Sequence, residues 1–173
     1  MVHATADPAI LIEALAGSDT RFPAYEALVA MGQEALPAVR EGLEHRDWQV
    51  RKWSAMVLDR VADAESLEAL VPLLNDAKAD VRLWAVHSLA CDHCKDEVTC
   101  PVDAVPHLIE RIEVDESIRV RRMATIMLAT DYSDPRALPT LKALSRDPDE
   151  KLRRHAARGV ERYAELGIEK GIT

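Results

Sequence analysis

Asp80-Val81-Arg82-Leu83-Trp84-Ala85-Val86-His87-Ser88-Leu89 is one rendering of a phrase that occurs four times, and its recurrence decides the fold. Each copy opens on an aliphatic residue and an arginine. A small residue follows four positions after the aliphatic one, and a second aliphatic residue follows eight positions after it. The copies are Val50-Arg51 with Ser54 and Leu58, Val81-Arg82 with Ala85 and Leu89, Val120-Arg121 with Ala124 and Leu128, and Leu152-Arg153 with Ala156 and Val160. They stand 31, 39 and 32 residues apart. Self-similarity at such a period marks a stacked array of supersecondary units.

Between the phrases lies a second kind of segment, in which Leu36-Pro37, Val105-Pro106 and Leu138-Pro139 lead into apolar residues at helical spacing. Leu36, Val39 and Leu43 repeat as Leu67, Leu70 and Leu74, an i, i+3, i+7 stripe on one helix face. Each phrase is therefore the second helix of a pair. The pattern predicts helices near 8 to 16 and 21 to 31, 33 to 44 and 47 to 61, 64 to 75 and 79 to 90, 102 to 113 and 117 to 129, and 135 to 145 and 149 to 164. The first pair fits loosely, through Arg21, Ala24 and Leu28, as a terminal cap does. Asp47, Ser117 and Asp149 precede their phrases by three residues and suit N-caps, while Gly32 and Asp134-Pro135 mark first-helix starts. Pro37 and Pro139, about five residues into their helices, are expected to remove a hydrogen bond and bend them; repeat three has Glu68 at that place and Pro72 a turn later. The expectation is an all-α chain, an α-solenoid of about five helix pairs. It forms a single repeat domain over 1 to 165 with an insertion at 91 to 101, and residues 166 to 173 are a flexible tail.

Apolar residues make up 48% of the chain and charged residues 30%, with no apolar run of bilayer-spanning length. The first residues lack the basic and apolar regions of a secretory signal, so a cytoplasmic location is expected. The net charge of -8 argues against nonspecific attraction to nucleic acid. Neither a glycine-rich phosphate loop nor a nucleophile elbow is present, and the chain is read as non-enzymatic.

The proline-bent first helix followed by phrases such as Asp80-Val81-Arg82 with Ala85 and Leu89 resembles HEAT repeats, and covers residues 20 to 163. The short period and alanine-rich second helices are most similar to the HEAT-like repeats of phycobilisome lyases. The resemblance implies a right-handed superhelical stack, with first helices convex, second helices lining a concave side, and a role in binding proteins. It also implies that Arg51, Arg82, Arg121 and Arg153 join an inter-repeat polar ladder with acidic residues.

The 39-residue step exceeds its neighbours by about eight, and the excess holds all three cysteines. Cys91 and Cys94 form a C-x2-C pair suited to one tetrahedral ion, and Cys100 can return after five residues. His93, inside the insertion, is the preferred fourth ligand; His87, one helical turn before Cys91, is the other candidate. Zinc suits three thiolates and an imidazole, and a closed site of that kind is structural. It would pin a loop that has no core of its own. A redox pair of Cys91 with Cys94 or Cys100, and free thiols at the loop base, are the alternatives.

Trp53 and Trp84 occupy equivalent places, three residues after the phrase valine, with Met123 and His155 in the same column. They read either as packing between repeats or as an aromatic strip along the concave groove. Trp48, placed in the turn before its helix, is the more exposed hot-spot candidate. Basic residues recur beside the phrase: Arg51 and Lys52, Arg119, Arg121 and Arg122, then Lys151, Arg153, Arg154 and Arg158. They read as helix starts paired with nearby carboxylates, or as a positive groove for an acidic or phosphorylated segment. The leading function is thus a protein-interaction scaffold or adaptor that grips a protein partner through Trp48, Trp53, Trp84, Arg122 and Arg154. A lyase-like or chaperone subunit acting on chromophore-bearing proteins, a nucleic-acid-binding repeat protein and a metal-dependent redox sensor are the competing readings.

Overall fold

The computed structural model describes residues 7–90 and 101–168, which are helical and contain no strand. The five expected pairs are all present. They are α1 (Pro8–Ala14) with α2 (Arg21–Met31), α3 (Leu36–Leu43) with α4 (Trp48–Val61), and α5 (Ala64–Ala69) with α6 (Ala79–Ala90). Then follow α7 (Ala104–Val114) with α8 (Ile118–Thr130), and α9 (Leu138–Ala143) with α10 (Glu150–Glu165). Repeated helix hairpins of this kind place the chain in the α-solenoid class. The described chain forms two compact units, the first built on α1 to α6 and the second on α7 to α10.

Proline shapes the first helices by a different route from the bend expected. Pro37 and Pro139 stand at the second position of α3 and α9, where the missing N–H would have no intrahelical acceptor. Each helix is preceded by a separate 3-10 turn, Gly32–Ala35 or Pro135–Ala137. The α-helix therefore restarts at the proline and loses no hydrogen bond within itself. In the third pair the order reverses: α5 comes first and a 3-10 segment, Val71–Asn75, begins at the residue before Pro72.

The second helices are longer and capped as their sequence requires. Asp47 accepts a hydrogen bond from the Gln49 N–H at 2.8 Å, and Asp149 accepts one from the Leu152 N–H at 2.9 Å. Ser117 occupies the N-cap of α8 without a side-chain capping bond. Gly167, at φ 72°, closes α10: its N–H bonds Ala164 O and the Ile168 N–H reaches back to Tyr163 O at 2.8 Å. Residues 166 to 168, read from the sequence as the start of a tail, thus form a glycine C-cap.

Within each unit like helices pack on like. In the first, α1 neighbours α3, α3 neighbours α5, and α2 neighbours α4; in the second, α8 packs on the like helix α10 as well as on its own hairpin partner α7. The phrase supplies the core: Val50, Leu58, Val81, Leu89, Val120 and Leu128 are fully buried. Each such aliphatic side chain contributes about 1.5–3 kcal/mol of hydrophobic stabilisation. The small fourth residue has a steric cause. Gly42 of α3 lies directly against Ser54 of α4, and a Cβ at Gly42 would meet the Ser54 hydroxyl and Ile12. In the second unit Gly159 of α10 plays that part against α8, where a Cβ would stand 2.8 Å from Ala129 Cβ and 3.1 Å from Ala129 Cα. Tyr163 is also fully buried there, and its hydroxyl donates to Leu128 O at 3.1 Å; burial pushes its pKa up.

Candidate functional site

The turn ahead of each second helix is built on one plan. The residue five places before the phrase is His45, Asp76, Asp115 or Asp147, and its side chain accepts a bond from the backbone N–H two residues on. In three of the four copies the phrase arginine then ties the turn down through its Nη1, whereas Arg121 puts its Nε on Ile112 O at 2.9 Å. Arg51 donates to His45 O at 2.8 Å and Arg46 O at 3.2 Å, Arg82 to Asp76 O at 2.8 Å, and Arg153 to Asp147 O at 2.7 Å and Pro148 O at 2.9 Å. Arg21 does the same to Leu15 O and Ala16 O in the first hairpin.

The other edge of the guanidinium reaches the next repeat. Arg51 Nε and Nη2 bind the Asp76 carboxylate at 2.6 and 3.1 Å, and Arg121 Nη2 binds Asp147 at 2.6 Å. Arg51 and Arg121 thus make the inter-repeat carboxylate bonds implied for the phrase arginines, while Arg153 is bonded to backbone carbonyls alone among the described residues. Burial alone would raise the pKa of Asp76, but hydrogen bonds from Arg51 and the Lys78 N–H hold it below the ordinary carboxylate range. Asp147 is held low against its own burial by the Asp149 N–H and by Arg121.

Arg122, read as a partner contact, is engaged within the fold. Its Nε lies 3.0 Å from Asp149 and its Nη2 also bonds that carboxylate. Those bonds, with the Leu152 N–H, bring Asp149 down to about 2. Arg154, at the equivalent place on α10, is exposed and has no ion-pair partner among the described residues, and the same holds for Lys151 and Arg158. His155 sits beside them, and its pKa is lowered first by burial and then by Arg154, Arg158, Arg122 and Lys151.

In the first unit the second helices carry aromatics instead. Trp53 meets the Tyr25 ring edge-on at 5.5 Å between centroids, and Tyr25 stacks on Phe22 at 6.3 Å. The Lys52 ammonium lies 5.3 Å from the Trp53 ring and 5.6 Å from the Trp48 ring, so it bridges the two by cation–π attraction. Trp84 faces His87 at 5.3 Å. All three tryptophans are half-buried, and Phe22 is 55% exposed. This corrects the expectation for Trp48, which is the first residue of α4, behind the Asp47 cap and under Lys52, and not an exposed turn residue. Phe22 and Tyr25, which were not singled out in the sequence, complete the cluster with Lys52, which the sequence offered only as one of the basic residues beside the phrase. Tyr25 stands four residues after Arg21, out of register with Trp53 and Trp84, which follow their arginines by two, so the repeat pattern did not point to it. The aspartate at minus five was legible as a fourth recurring column.

Cys91, His93, Cys94 and Cys100 lie outside the described residues. His87, the other candidate ligand, is described: its Nδ1 is 2.9 Å from Oδ1 of the buried Asp59. Among the described residues no group of three or more histidine, cysteine or acidic side chains gathers to hold a metal. No described helix is long and apolar enough to cross a membrane.

The chain belongs to the family described as HEAT repeats, whose match covers residues 8–90 and 105–167 and reaches no narrower group. No curated protein matches it. Among solved structures it is similar to an engineered protein from a structural-genomics programme at TM-score 0.61 and 23% identity, covering 96% of this chain and 82% of that one. A second engineered protein gives 0.54 and 20%, with 91% and 79% covered. A designed armadillo repeat protein in complex with the peptide (KR)4 gives 0.59 and 19%, with 90% and 81% covered. At these identities the likeness is one of fold.

Proposed function

We propose that the protein is a non-enzymatic interaction module that grips a protein partner on its second helices. The observation that carries this reading is the cluster of Phe22, Tyr25, Trp48, Lys52 and Trp53, half-open to solvent on α2 and α4, with Trp84 on α6. Large aromatic rings held rigid by neighbours and by a cation are the side chains that most often anchor a protein interface. In the second unit Arg154, which has no carboxylate partner among the described residues, adds positive charge, which favours acidic residues in the partner; Arg122 is taken up by Asp149. The designed armadillo neighbour holds a basic peptide; here aromatic and basic groups favour a ligand with an apolar anchor and carboxylates.

Affinity capture from the native lysate tests it, with wild type set against Trp48→Ala/Trp84→Ala. A protein held by wild type and depleted about tenfold or more by the variant is expected, with the thermal melt of the two chains alike. Equal capture by both sinks the reading.

We also propose that Cys91, Cys94 and Cys100 hold a structural zinc ion, with His87 in place of His93 as the fourth ligand. His87 turns Nδ1 to Asp59 Oδ1 at 2.9 Å, and in the tautomer that donates there its Nε2 lone pair is left for another partner. A carboxylate behind an imidazole is the usual support of a ligating histidine. Metal analysis of tag-free protein is expected to return one zinc per chain; less than about a tenth of an equivalent overturns the proposal.

A further inference from the structure

The outer face of α10 repeats the chemistry of α4 and α8 with one component missing. On α4, Arg51 spends Nη1 on its own turn and offers Nε and Nη2 to the Asp76 carboxylate. Arg153 spends Nη1 in the same way, on Asp147 O and Pro148 O, and is half-buried. Its Nε and Nη2 meet no acceptor among the described residues. Arg154 stands beside it as Arg122 stands beside Arg121, also without a carboxylate. On α8 this pair of arginines is filled by Asp147 and Asp149, two residues apart at the start of a helix.

The apolar surface repeats too. Thr125, Leu128 and Ala129 of α8 are buried under the last hairpin. Their counterparts on α10 are Ala157 and Glu161, both exposed, and Val160, half-buried. Val160 and Ala164 join Leu138, Lys142 and Ile168 around an open groove of about 240 Å³. An apolar groove on the helix that also carries the held Arg153 and the exposed, unpaired Arg154, Lys151 and Arg158 is complementary in charge to an acidic segment. Preorganisation is already met at Arg153, because the bonds to its own turn fix the fork.

We propose that this face docks a partner protein through an Asp-x-Asp turn that opens a helix, with its two carboxylates seated on Arg153 and Arg154. A second copy of this chain is a poor occupant. Its first hairpin turn carries Leu15 and Gly17 at the two register positions that Asp147 and Asp149 fill in the last one. The inference rests on the partner-binding reading above but uses a different surface from the tryptophans.

The test uses the full chain and a fluorescent peptide with an Asp-Pro-Asp start and a two-turn neutral helix carrying an apolar stripe, beside an Asn-Pro-Asn twin. Fluorescence anisotropy at low salt is expected to show the Asp peptide binding about tenfold or more tighter than its twin. Arg153→Gln is expected to weaken it about tenfold. Because Arg153 also ties its turn, the exposed double variant Arg154→Gln/Arg158→Gln provides a second reading that leaves the fold intact. Trp48→Ala/Trp84→Ala should bind the peptide as wild type does, so loss of the lysate partner and loss of peptide binding remain separate results. Equal binding of the two peptides, no binding of either, or indifference to both arginine variants overturns the inference. So does self-association that Arg153→Gln abolishes without any peptide affinity, which would assign the face to a second copy.

Discussion

Helices α8 and α10 share a phrase and a pair of adjacent arginines, yet they end in different states. On α8 both guanidiniums are paired with carboxylates, Arg121 with Asp147 and Arg122 with Asp149, and the aliphatic stripe behind them is closed over. On α10 the same register leaves Arg154 exposed, Arg153 tied only to backbone carbonyls, and Val160 half-open. The two helices share the arginine register while differing behind it, Ala129 of α8 standing where α10 has Glu161. On α8 a turn bearing two aspartates is stacked upon the arginines, and on α10 none is among the described residues, so the arginine register acts as a socket that a neighbouring turn fills.

The comparison can be broken at the aliphatic position first. Leu128→Ala opens a cavity in a closed seam and is expected to cost about 2–5 kcal/mol in urea unfolding. Val160→Ala, at the equivalent half-open place, is expected to cost about 1 kcal/mol or less, having less burial to lose. Equal costs would mean that α10 is as covered as α8. Gly159→Ala comes next. Alanine favours a helix interior by about 1 kcal/mol over glycine. Its Cβ would press on Ala129, including backbone, so a net loss of about 1–3 kcal/mol is expected from the same measurement. A gain in stability would show that α8 and α10 stand further apart than a 2.8 Å approach to Ala129 Cβ allows.

The polar half of the comparison is smaller. Arg121→Gln leaves Asp147 with one fewer charged donor and is expected to cost about 1–2 kcal/mol. Arg153→Gln has no carboxylate to strand and should cost less than half as much. Acid titration sharpens the same point. Asp76, Asp147 and Asp149 have pKa values below the unfolded carboxylate value, Asp149 reaching about 2, so the folded state binds fewer protons there than the unfolded one. Their stabilisation is fully present above about pH 5 and is lost as pH falls toward 2. Asp149→Asn should flatten the fall of the melting temperature over that window, whereas Arg154→Gln should leave it unchanged. An unaltered acid limb in Asp149→Asn would deny the Arg122 bond its electrostatic role.

Much of this architecture could be read from the residues. The spacing of Val50, Ser54 and Leu58 and its three further copies located four of the five second helices to within a few residues, and the aspartates at minus three identified two of their side-chain caps. These are local properties, set by 3.6 residues per turn and by side chains bonding amides two or three residues away. Pro37 and Pro139 were harder to read. A proline can bend a helix or begin a new one, and the adjoining 3-10 turn selects the second outcome.

For the site, the columns of tryptophan and arginine were visible in the sequence, but their partners were not. Sequence alone determined a HEAT-like repeat with its helices, its buried stripe and the register of its arginines, because periodicity and capping act within one helix. Only the tertiary structure decided that Tyr25 meets Trp53, that Asp59 holds His87, that Gly42 and Gly159 must lack a Cβ, and that Arg122 is paired while Arg154 is not. Those pairings join residues roughly 12 to 30 positions apart in sequence, and their distances depend on how one hairpin is offset against the next, a quantity that no single helix contains.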